Sequence, residues 1–273
     1  MLQSKKNITK KSGAISQHQY QLYMKKILLA IYSVYALIVF IILMFFAFPF
    51  VAIASFFGKE GGDGVYTIAK LWGIIWYVLI GIHHKNYYEL TSTQKRQYIF
   101  VANHSSYMDI PALVRCMQQP YRVLGKYEMV KIPVFGFIYK CAVILVDRSS
   151  AEKRAKSFQE LKHALTQGLS IFIFPEGTFN ETGKPLKEFY DGAFRIAIET
   201  QTPIQPIIFL DTIKRLPPEH LLQLTPGKSR AIFLEPIEVS NYTTTNDINI
   251  LKKIVYQKME AAIVQYRTHP PMF

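Results

Sequence analysis

The sequence predicts an α/β protein with a mixed, largely parallel sheet flanked by helices, preceded by a membrane-inserted helical hairpin. From about residue 86 onward, short apolar runs rich in β-forming residues alternate with segments of helical periodicity. This alternation is typical of a sheet covered by helices. Ahead of it lie a long uncharged apolar stretch and a second, shorter one, which together indicate the hairpin.

The first apolar stretch has no charged side chain from Ile27 to Gly58. Because about 20 apolar residues cross a bilayer core, we expect a membrane helix over 27–57, kinked or ended at Pro49. Residues 1–26 form a basic segment with six lysines and no acidic residue, and such segments stay on the cytoplasmic side. A signal peptide is the alternative, since AIA at 52–54 resembles a cleavage site, but the apolar run is longer than is usual for one.

The second apolar stretch, expected as a helix over 65–83, follows the polar link KEGGDG, whose glycines suit a turn. We therefore expect a membrane anchor over 27–85, spanning or half-inserted, that returns the chain to the cytoplasmic side. The alternative is a single spanning helix with the rest of the chain outside, because the second stretch is less apolar. An interfacial position suits its aromatic residues, which are Trp72, Trp76 and Tyr77.

The remaining residues, 86–273, are expected to form the α/β domain. Its helical segments are predicted at 150–168, 192–201 and 246–267. The last of these places five apolar residues on one face, Ile248, Leu251, Val255, Met259 and Ile263. Runs typical of strands buried on both faces lie at 97–103, 142–147, 170–177, 203–211 and 230–239.

The composition favours a phosphate-bearing partner. The chain has 273 residues and a formal net charge of +13, and a basic surface attracts nucleic acid or anionic lipid. No nucleic-acid-binding module is recognised, and six of the cations flank the apolar anchor. We therefore expect membrane lipid, and no nucleic acid, as the partner. The two cysteines, Cys116 and Cys141, do not indicate a disulfide framework.

A histidine and a carboxylate follow the first predicted strand, in IFVANHSSYMDIPAL at 99–113. His104 stands at the carboxyl end of the strand, where α/β sheets keep their chemistry, and Asp109 follows five positions later. A carboxylate bonded to one imidazole nitrogen fixes the tautomer that accepts a proton at the other. In a straight helix the two side chains would stand ~140° apart, so the pair needs a turn or a helix start between them. No nucleophile in a strained turn is recognised, so the pair is expected to activate a substrate hydroxyl.

A second polar island, FPEGTFNETG at 174–183, also follows a predicted strand. Pro175 ends the strand, Gly177 lets a ligand approach the backbone closely, and Glu176 can accept hydrogen bonds from a polyol. The alternatives are purely structural roles: this island is a plain turn, and the histidine–aspartate pair is a structural hydrogen bond. No metal site is expected, because no second His or Cys stands at ligand spacing near His104.

Four blocks in chain order resemble the glycerolipid acyltransferase family, whose best-known members are the lysophosphatidate (1-acylglycerol-3-phosphate) acyltransferases. The first block is His104 through Asp109, and the third is FPEGT at 174–178. The second, at 125–148, ends at Asp147-Arg148, and the fourth is TPIQPI at 202–207. An apolar segment ahead of the first block also fits the family.

The resemblance implies a membrane-bound O-acyltransferase with no bound cofactor. It would transfer a fatty acyl group from acyl-CoA or acyl-carrier protein to lysophosphatidic acid, giving phosphatidic acid. His104 would remove the proton from the acceptor hydroxyl, and Asp109 would hold His104. The resemblance also implies substrate-binding residues, which are Arg148, Glu176, Gly177, Thr178 and Lys126.

The sequence departs from the family pattern where the acceptor head group is expected. Phe179 stands where the family usually has arginine, Tyr190 and Asp191 where it usually has two lysines, and Ala142 where glycine is common. A phosphate monoester carries close to two negative charges, so another lyso-lipid or polar lipid is an alternative acceptor. A non-enzymatic membrane scaffold is a further alternative. The cations that could compensate are Lys126, Lys131, Lys184, Lys187 and Arg195.

Overall fold

The computed structural model describes residues 17–90, 96–146, 150–244 and 246–272. Within these ranges, helices cover both faces of a mostly parallel seven-stranded sheet, which confirms the predicted fold class. The first sixteen residues of the expected basic segment, and Arg148, lie outside the described residues. The strands are β1 Ile82–Tyr88, β2 Ile99–Ala102, β3 Tyr121–Lys126, β4 Val143–Val146, β5 Ser170–Ile173, β6 Ile204–Phe209 and β7 Gly227–Phe233.

The helices of the described residues begin with the two that precede the sheet. The remaining helices connect the strands or close the chain, and a short 3-10 helix at Tyr127–Lys131 follows β3. The α-helices are α1 Gln17–Ser55, α2 Gly58–Leu79, α3 Asp109–Cys116, α4 Phe135–Ala142, α5 Ala151–Thr166, α6 Gly192–Thr200, α7 Thr212–Arg215 and α8 Asp247–Thr268.

The strand order decides where polar residues can meet. Neighbouring strands follow the order β1-β7-β6-β2-β5-β3-β4. Strands β2 to β6 are mutually parallel, β7 is antiparallel to β6, and β1 is parallel to β7. The carboxyl ends of β2 to β6 therefore share one edge, the usual ligand edge of an α/β sheet. Strands β1 and β7 begin at that same edge.

The two faces of the sheet bury separate apolar clusters. On β2, Ile99 and Val101 pack among residues of α5, α6 and α8, whereas Phe100 and Ala102 pack towards α3. This alternation follows from the two-residue period of a strand. Helix α8 buries the face that the sequence predicts, from Ile248 to Ile263.

Helices α1 and α2 form an antiparallel hairpin that packs on the α3 side of the sheet. The indole of Trp76 donates a 2.8 Å hydrogen bond to the Ala36 carbonyl, and Val51 shares an apolar cluster with Val65 near the turn. Among the described residues, α1 is the one helix that is long and apolar enough to cross a membrane, judged by length and composition alone. Its buried residues form one stripe, Ser33, Ala36, Met44, Ala47 and Val51, so most of its apolar surface faces outward.

The turn of the hairpin lies earlier than predicted. It falls at Phe56 and Phe57, whose amides donate to the carbonyls of Ile53 and Ala54. The predicted KEGGDG turn is wrong because those residues lie in the first turns of α2. A side chain on Gly62 would meet the Arg122 guanidinium, so this glycine serves close packing rather than a turn. Helix α1 likewise continues past Pro49 to Ser55.

The aromatic residues of α2 pack against the rest of the protein. Trp76 and Tyr77 are buried, and the Trp72 ring lies 4.5 Å from the ring of Phe40 on α1. Large aromatic surfaces contribute strongly to packing, and here they join the hairpin to the sheet. The burial of Trp76 and Tyr77 contradicts the interfacial position expected for these two residues.

Two strands, β1 and β3, were not predicted. The sequence of β1, IHHKNYY, reads as polar, and α2 ends at Leu79 rather than at residue 83 because Gly81 takes a left-handed conformation with φ of 61°. The expected boundary between residues 85 and 86 thus falls inside β1. Pairing with β7 along its whole length defines this strand, and such pairing leaves no apolar pattern in the sequence.

The close packing of Gly136, in the segment between β3 and β4, leads to a prediction about stability. A Cβ on Gly136 would meet the backbone carbonyl of Val130, and backbone cannot move aside as a flexible side chain can. We expect Gly136→Ala to lower the free energy of unfolding by about 1–3 kcal/mol, measured by thermal unfolding in detergent. The control is Gly192→Ala, whose Cβ meets nothing within 4 Å. Equal unfolding midpoints for the two variants would contradict this packing.

Candidate active site

The site begins at Asn103, which fixes the end of β2. Its side-chain oxygen accepts a 2.8 Å hydrogen bond from the Phe209 amide, and its side-chain nitrogen donates a 3.1 Å bond to the Phe209 carbonyl. These two bonds continue the β2–β6 pairing by one residue beyond the strand. Sequence reasoning gave Asn103 no role; its one signal is a polar amide directly after a buried apolar run.

His104 and Asp109 are brought together by the loop that leads into α3. Nδ1 of His104 lies 2.9 Å from Oδ2 of Asp109, and Asp109 is the first residue of α3. The same carboxylate oxygen accepts the amides of Ser105 at 2.6 Å and Ser106 at 2.8 Å. The predicted turn between the two side chains is therefore present. With Asp109 ionised, Nδ1 carries the imidazole proton and Nε2 keeps its lone pair.

Aromatic rings enclose the imidazole. Phe174 stacks on the ring with centroids 4.0 Å apart, and Phe179 meets it edge-on at 4.5 Å. Tyr107 packs against Phe179 at 4.7 Å. The His104 side chain remains 17% exposed. These contacts fix the plane of the ring and leave a limited opening to it, which suits a base that meets one hydroxyl in a defined orientation.

Glu176 ties the histidine to the segment after β5. Its carboxylate is fully buried; Oε1 accepts the His104 amide at 2.7 Å and Oε2 accepts the Lys187 amide at 2.7 Å. Burial raises the pKa of Glu176 to about 7, although the two amide bonds act in the opposite direction. Asn180 adds a 2.7 Å bond from its amide to the His104 carbonyl. Both oxygens of Glu176 thus engage the protein backbone, an arrangement that the sequence does not reveal.

The basic residues expected at the site lie at different distances from His104. Lys126 is exposed at the carboxyl end of β3, two strand spacings or roughly 10 Å from β2. The Lys187 ammonium donates a 2.6 Å hydrogen bond to the Thr178 hydroxyl, which holds it beside the turn at Gly177, where φ is 73°. Of the basic residues that could compensate for Phe179, Lys187 therefore lies against the FPEGT block.

A cavity of about 250 Å³ borders the loop that carries the dyad of His104 and Asp109. Its walls include the cations Lys184 and Arg267 and two acidic residues on exposed loops. His104 is not one of the lining residues, so the cavity lies beside the loop and does not open onto the imidazole. Its lining residues from the site are Asn103, Ser105, Glu176 and Asn180. Among the described residues, no cluster of three His, Cys, Asp or Glu side chains could hold a metal ion.

Known proteins resemble this chain over most of its length. The acyltransferase family model matches residues 83–210. A 1-acyl-sn-glycerol-3-phosphate acyltransferase of Haemophilus influenzae is 30% identical over 216 residues, which are 78% of this chain and 87% of that protein. The chain belongs to the glycerolipid acyltransferase family. It is an acyltransferase of the 1-acylglycerol-3-phosphate acyltransferase type.

Two further comparisons agree with this membership. The chloroplastic 1-acyl-sn-glycerol-3-phosphate acyltransferase BAT2 of Brassica napus is 31% identical over 73% of this chain, which spans 57% of that longer protein. The crystal structure of the 1-acyl-sn-glycerophosphate (LPA) acyltransferase PlsC from Thermotoga maritima superposes with a TM-score of 0.71. It is 21% identical and covers 92% of this chain and 99% of its own, a likeness that shows the shared fold.

The bonds of Glu176 predict a loss of turnover in Glu176→Gln. A glutamine amide has one acceptor oxygen, so its NH₂ group would face a backbone N–H of His104 or Lys187. Leaving a buried donor unpaired costs about 1–3 kcal/mol. We expect kcat for acyl transfer to fall roughly tenfold to a hundredfold, with a smaller change in KM for the acceptor.

The matched control is Glu188→Gln, which neutralises an exposed carboxylate one residue after Lys187 and should keep wild-type kcat. If Glu176→Gln instead raised KM for the acceptor at unchanged kcat, the carboxylate would contact the substrate, as the family resemblance implies, rather than position His104.

Proposed function

We propose that this acyltransferase moves a fatty acyl group from an acyl thioester to the free hydroxyl of lysophosphatidic acid, giving phosphatidic acid. The observation that carries the proposal is the 2.9 Å contact between His104 Nδ1 and Asp109 Oδ2, in a chain of the glycerolipid acyltransferase family. The relatives named above are 1-acylglycerol-3-phosphate acyltransferases, which supports this acceptor.

The proposed mechanism is general-base acyl transfer. Nε2 of His104 takes the proton of the acceptor hydroxyl while the hydroxyl oxygen attacks the thioester carbonyl carbon. The carbon–sulfur bond then breaks, and the thiolate leaves with the proton that the imidazole carried. Asp109 stabilises the imidazolium between these steps and holds its orientation. The donor is acyl-CoA or acyl-carrier protein, since both present the same thioester.

We further propose that the enzyme works on a membrane, with its catalytic domain on the cytoplasmic side. The outward face of α1 is apolar, and the six lysines of residues 1–26 favour the cytoplasmic side. The stripe from Ser33 to Val51 packs against the rest of the protein. The residues that cover this stripe include Leu224 and Ile138 of the α/β domain. Because the hairpin is packed on that domain along this length, half-insertion fits the packing better than spanning does.

The proposal is tested with purified protein in detergent, acyl-CoA or acyl-carrier protein, and lysophosphatidic acid. Free thiol should appear only when the acceptor is present, and His104→Ala should lower kcat by about 10²–10⁴-fold, as expected for loss of a general base. His163→Ala, on the exposed side of α5, is the control and should retain full activity. Full turnover in His104→Ala would rule out the base assignment, and a scaffold without enzymatic activity would release no thiol with any acceptor.

A second candidate is acyl transfer to a lyso-lipid with a less charged head group. The observation that favours it is Phe179, whose apolar ring lies 4.5 Å from the imidazole at a position next to Thr178. A phosphate monoester carries close to two charges and a phosphodiester one. Relative kcat/KM values for lysophosphatidic acid and lysophosphatidylcholine decide between the two acceptors.

Substitution of Phe179 gives a directed test of acceptor choice. We expect Phe179→Arg to raise the ratio of kcat/KM for lysophosphatidic acid to that for lysophosphatidylcholine by about tenfold, because a charge-assisted hydrogen bond contributes roughly 1.5–3 kcal/mol. Phe179→Leu is the control for the lost ring contact and should leave the ratio unchanged. An unchanged ratio in Phe179→Arg would mean that the head group binds elsewhere.

A further inference from the structure

We propose that a turn formed by residues 220–223, here called the leucine turn, is a second membrane-contacting element that inserts into the same bilayer as α1, beside the dyad. This inference rests on the proposal that the enzyme acts at a lipid surface. The leucine side chains of this turn would contact the acyl-chain region of the bilayer.

The leucine turn places apolar side chains where turns normally have polar ones. The Gln223 amide donates a 2.9 Å hydrogen bond to the His220 carbonyl, so Leu221 and Leu222 are the two corner residues. Their exposed fractions are 58% and 56%. Gly, Pro, Asn, Asp and Ser dominate such corners. A single exposed leucine needs no explanation, but two adjacent ones at a corner present apolar surface that contact with lipid would remove from water.

The support beneath the leucine turn is firm. The buried Leu224 amide donates a 2.9 Å bond to the Ser33 hydroxyl on α1, and the Thr225 amide donates a 2.8 Å bond to the Arg215 carbonyl. Pro217 and Pro218 restrict the backbone on the other side. The corner is therefore held in place and is not a loose loop that could fold its leucines inward.

The position of the leucine turn selects lipid as the occupant. Leu224, the residue that follows the turn, is bonded to Ser33 of α1. Apolar residues of α1 on either side of Ser33 in the sequence are exposed; they are Leu28, Ile31, Val34 and Leu37. The turn therefore lies close to α1, whose exposed surface around Ser33 is apolar. A bilayer that covers the outer face of α1 at this level would also reach the two leucines.

The leucine turn is also coupled to the dyad loop. The Ser106 hydroxyl donates a 2.6 Å hydrogen bond to the Leu216 carbonyl, and Ser106 lies between His104 and Asp109. Glu219, just before the turn, lines the same cavity as Ser105. Contact of the turn with lipid would therefore hold the opening of the site against the surface that supplies an acceptor with an acyl chain.

A fluorescent label tests the position of the leucine turn directly. In a Cys141→Ala background, with Cys116 left because it is buried, Leu222→Cys is labelled with an environment-sensitive fluorophore. The protein is reconstituted into vesicles of phosphatidylcholine and phosphatidylglycerol with brominated acyl chains. The expected result is emission shifted to shorter wavelength and strong quenching. The control is Ile250→Cys on α8, 52% exposed, which should give water-like emission without quenching.

Kinetics test the consequence for catalysis. The double substitution Leu221→Ser/Leu222→Ser places residues that favour turns at both corners, so the turn itself should be preserved. It should lower kcat/KM about tenfold for a long-chain acceptor in vesicles, because the apolar contact of two leucines with lipid is lost. Activity on a short-chain acceptor dissolved as monomers should not change. Ile250→Ser/Val264→Ser, which alters two exposed residues of α8, should match the wild type with both acceptors.

The outcomes separate this inference from the proposed function. Water-like emission of the label at residue 222 in vesicles overturns the inference. It is also overturned if that emission changes with protein concentration in detergent but not on addition of lipid, because this indicates a contact between copies of the chain. Equal loss of activity on both acceptors also overturns it. If the label is quenched but the wild type acylates no lyso-lipid, the membrane contact stands and the proposed function falls.

Discussion

The hydrogen bond between His104 Nδ1 and Asp109 Oδ2 depends on a short loop whose backbone is fixed by hydrogen bonds to several side chains and to a neighbouring segment. Asp109 collects two amides of that loop in addition to the imidazole. Glu176 and Asn180 hold the amide and the carbonyl of His104. In the proposed mechanism His104 accepts a proton, and such a group must keep its geometry while it gains and loses charge. Fixing the backbone achieves this without crowding the ring, because the restraints lie on the main chain.

The hairpin and the sheet form one packed structure rather than an anchor with a separate catalytic domain. Helix α2 leads through Gly81 directly into β1, and β1 pairs with β7 along its full length. Trp76 and Tyr77 are buried where the hairpin meets the sheet. The proposed lipid-facing surfaces of α1 and the leucine turn are thereby set at a fixed position relative to His104 and Asp109. If both surfaces contact the bilayer as proposed, an acceptor held there would meet the proposed base in one orientation.

The elements that the sequence predicts well are those with a local pattern. Strands β2, β5 and β6 are predictable because both of their faces are covered, and α8 is predictable because its apolar residues recur at helical spacing. Strands β1 and β3 are not predictable in this way, because their residues are mixed in polarity and become strands through their pairing partners. The turn predicted at KEGGDG is wrong because Gly62 and Gly64, which usually mark a turn, serve close packing inside α2.

The family, the presence of His104 and Asp109, and the long apolar segment can all be read from the amino-acid sequence, because motif spacing and apolar length are local properties of the chain. Three contacts become visible in the folded chain alone: Glu176 accepts two backbone amides from different segments, Asn103 joins β2 to β6, and Lys187 lies against Thr178. The bonds of Glu176 to His104 and of Asn103 to Phe209 join residues that are distant in the sequence, because the parallel sheet brings the carboxyl ends of separate strands to one edge. The bonds of Lys187 close a loop within the single connection from β5 to α6, and the sequence does not show how that loop folds.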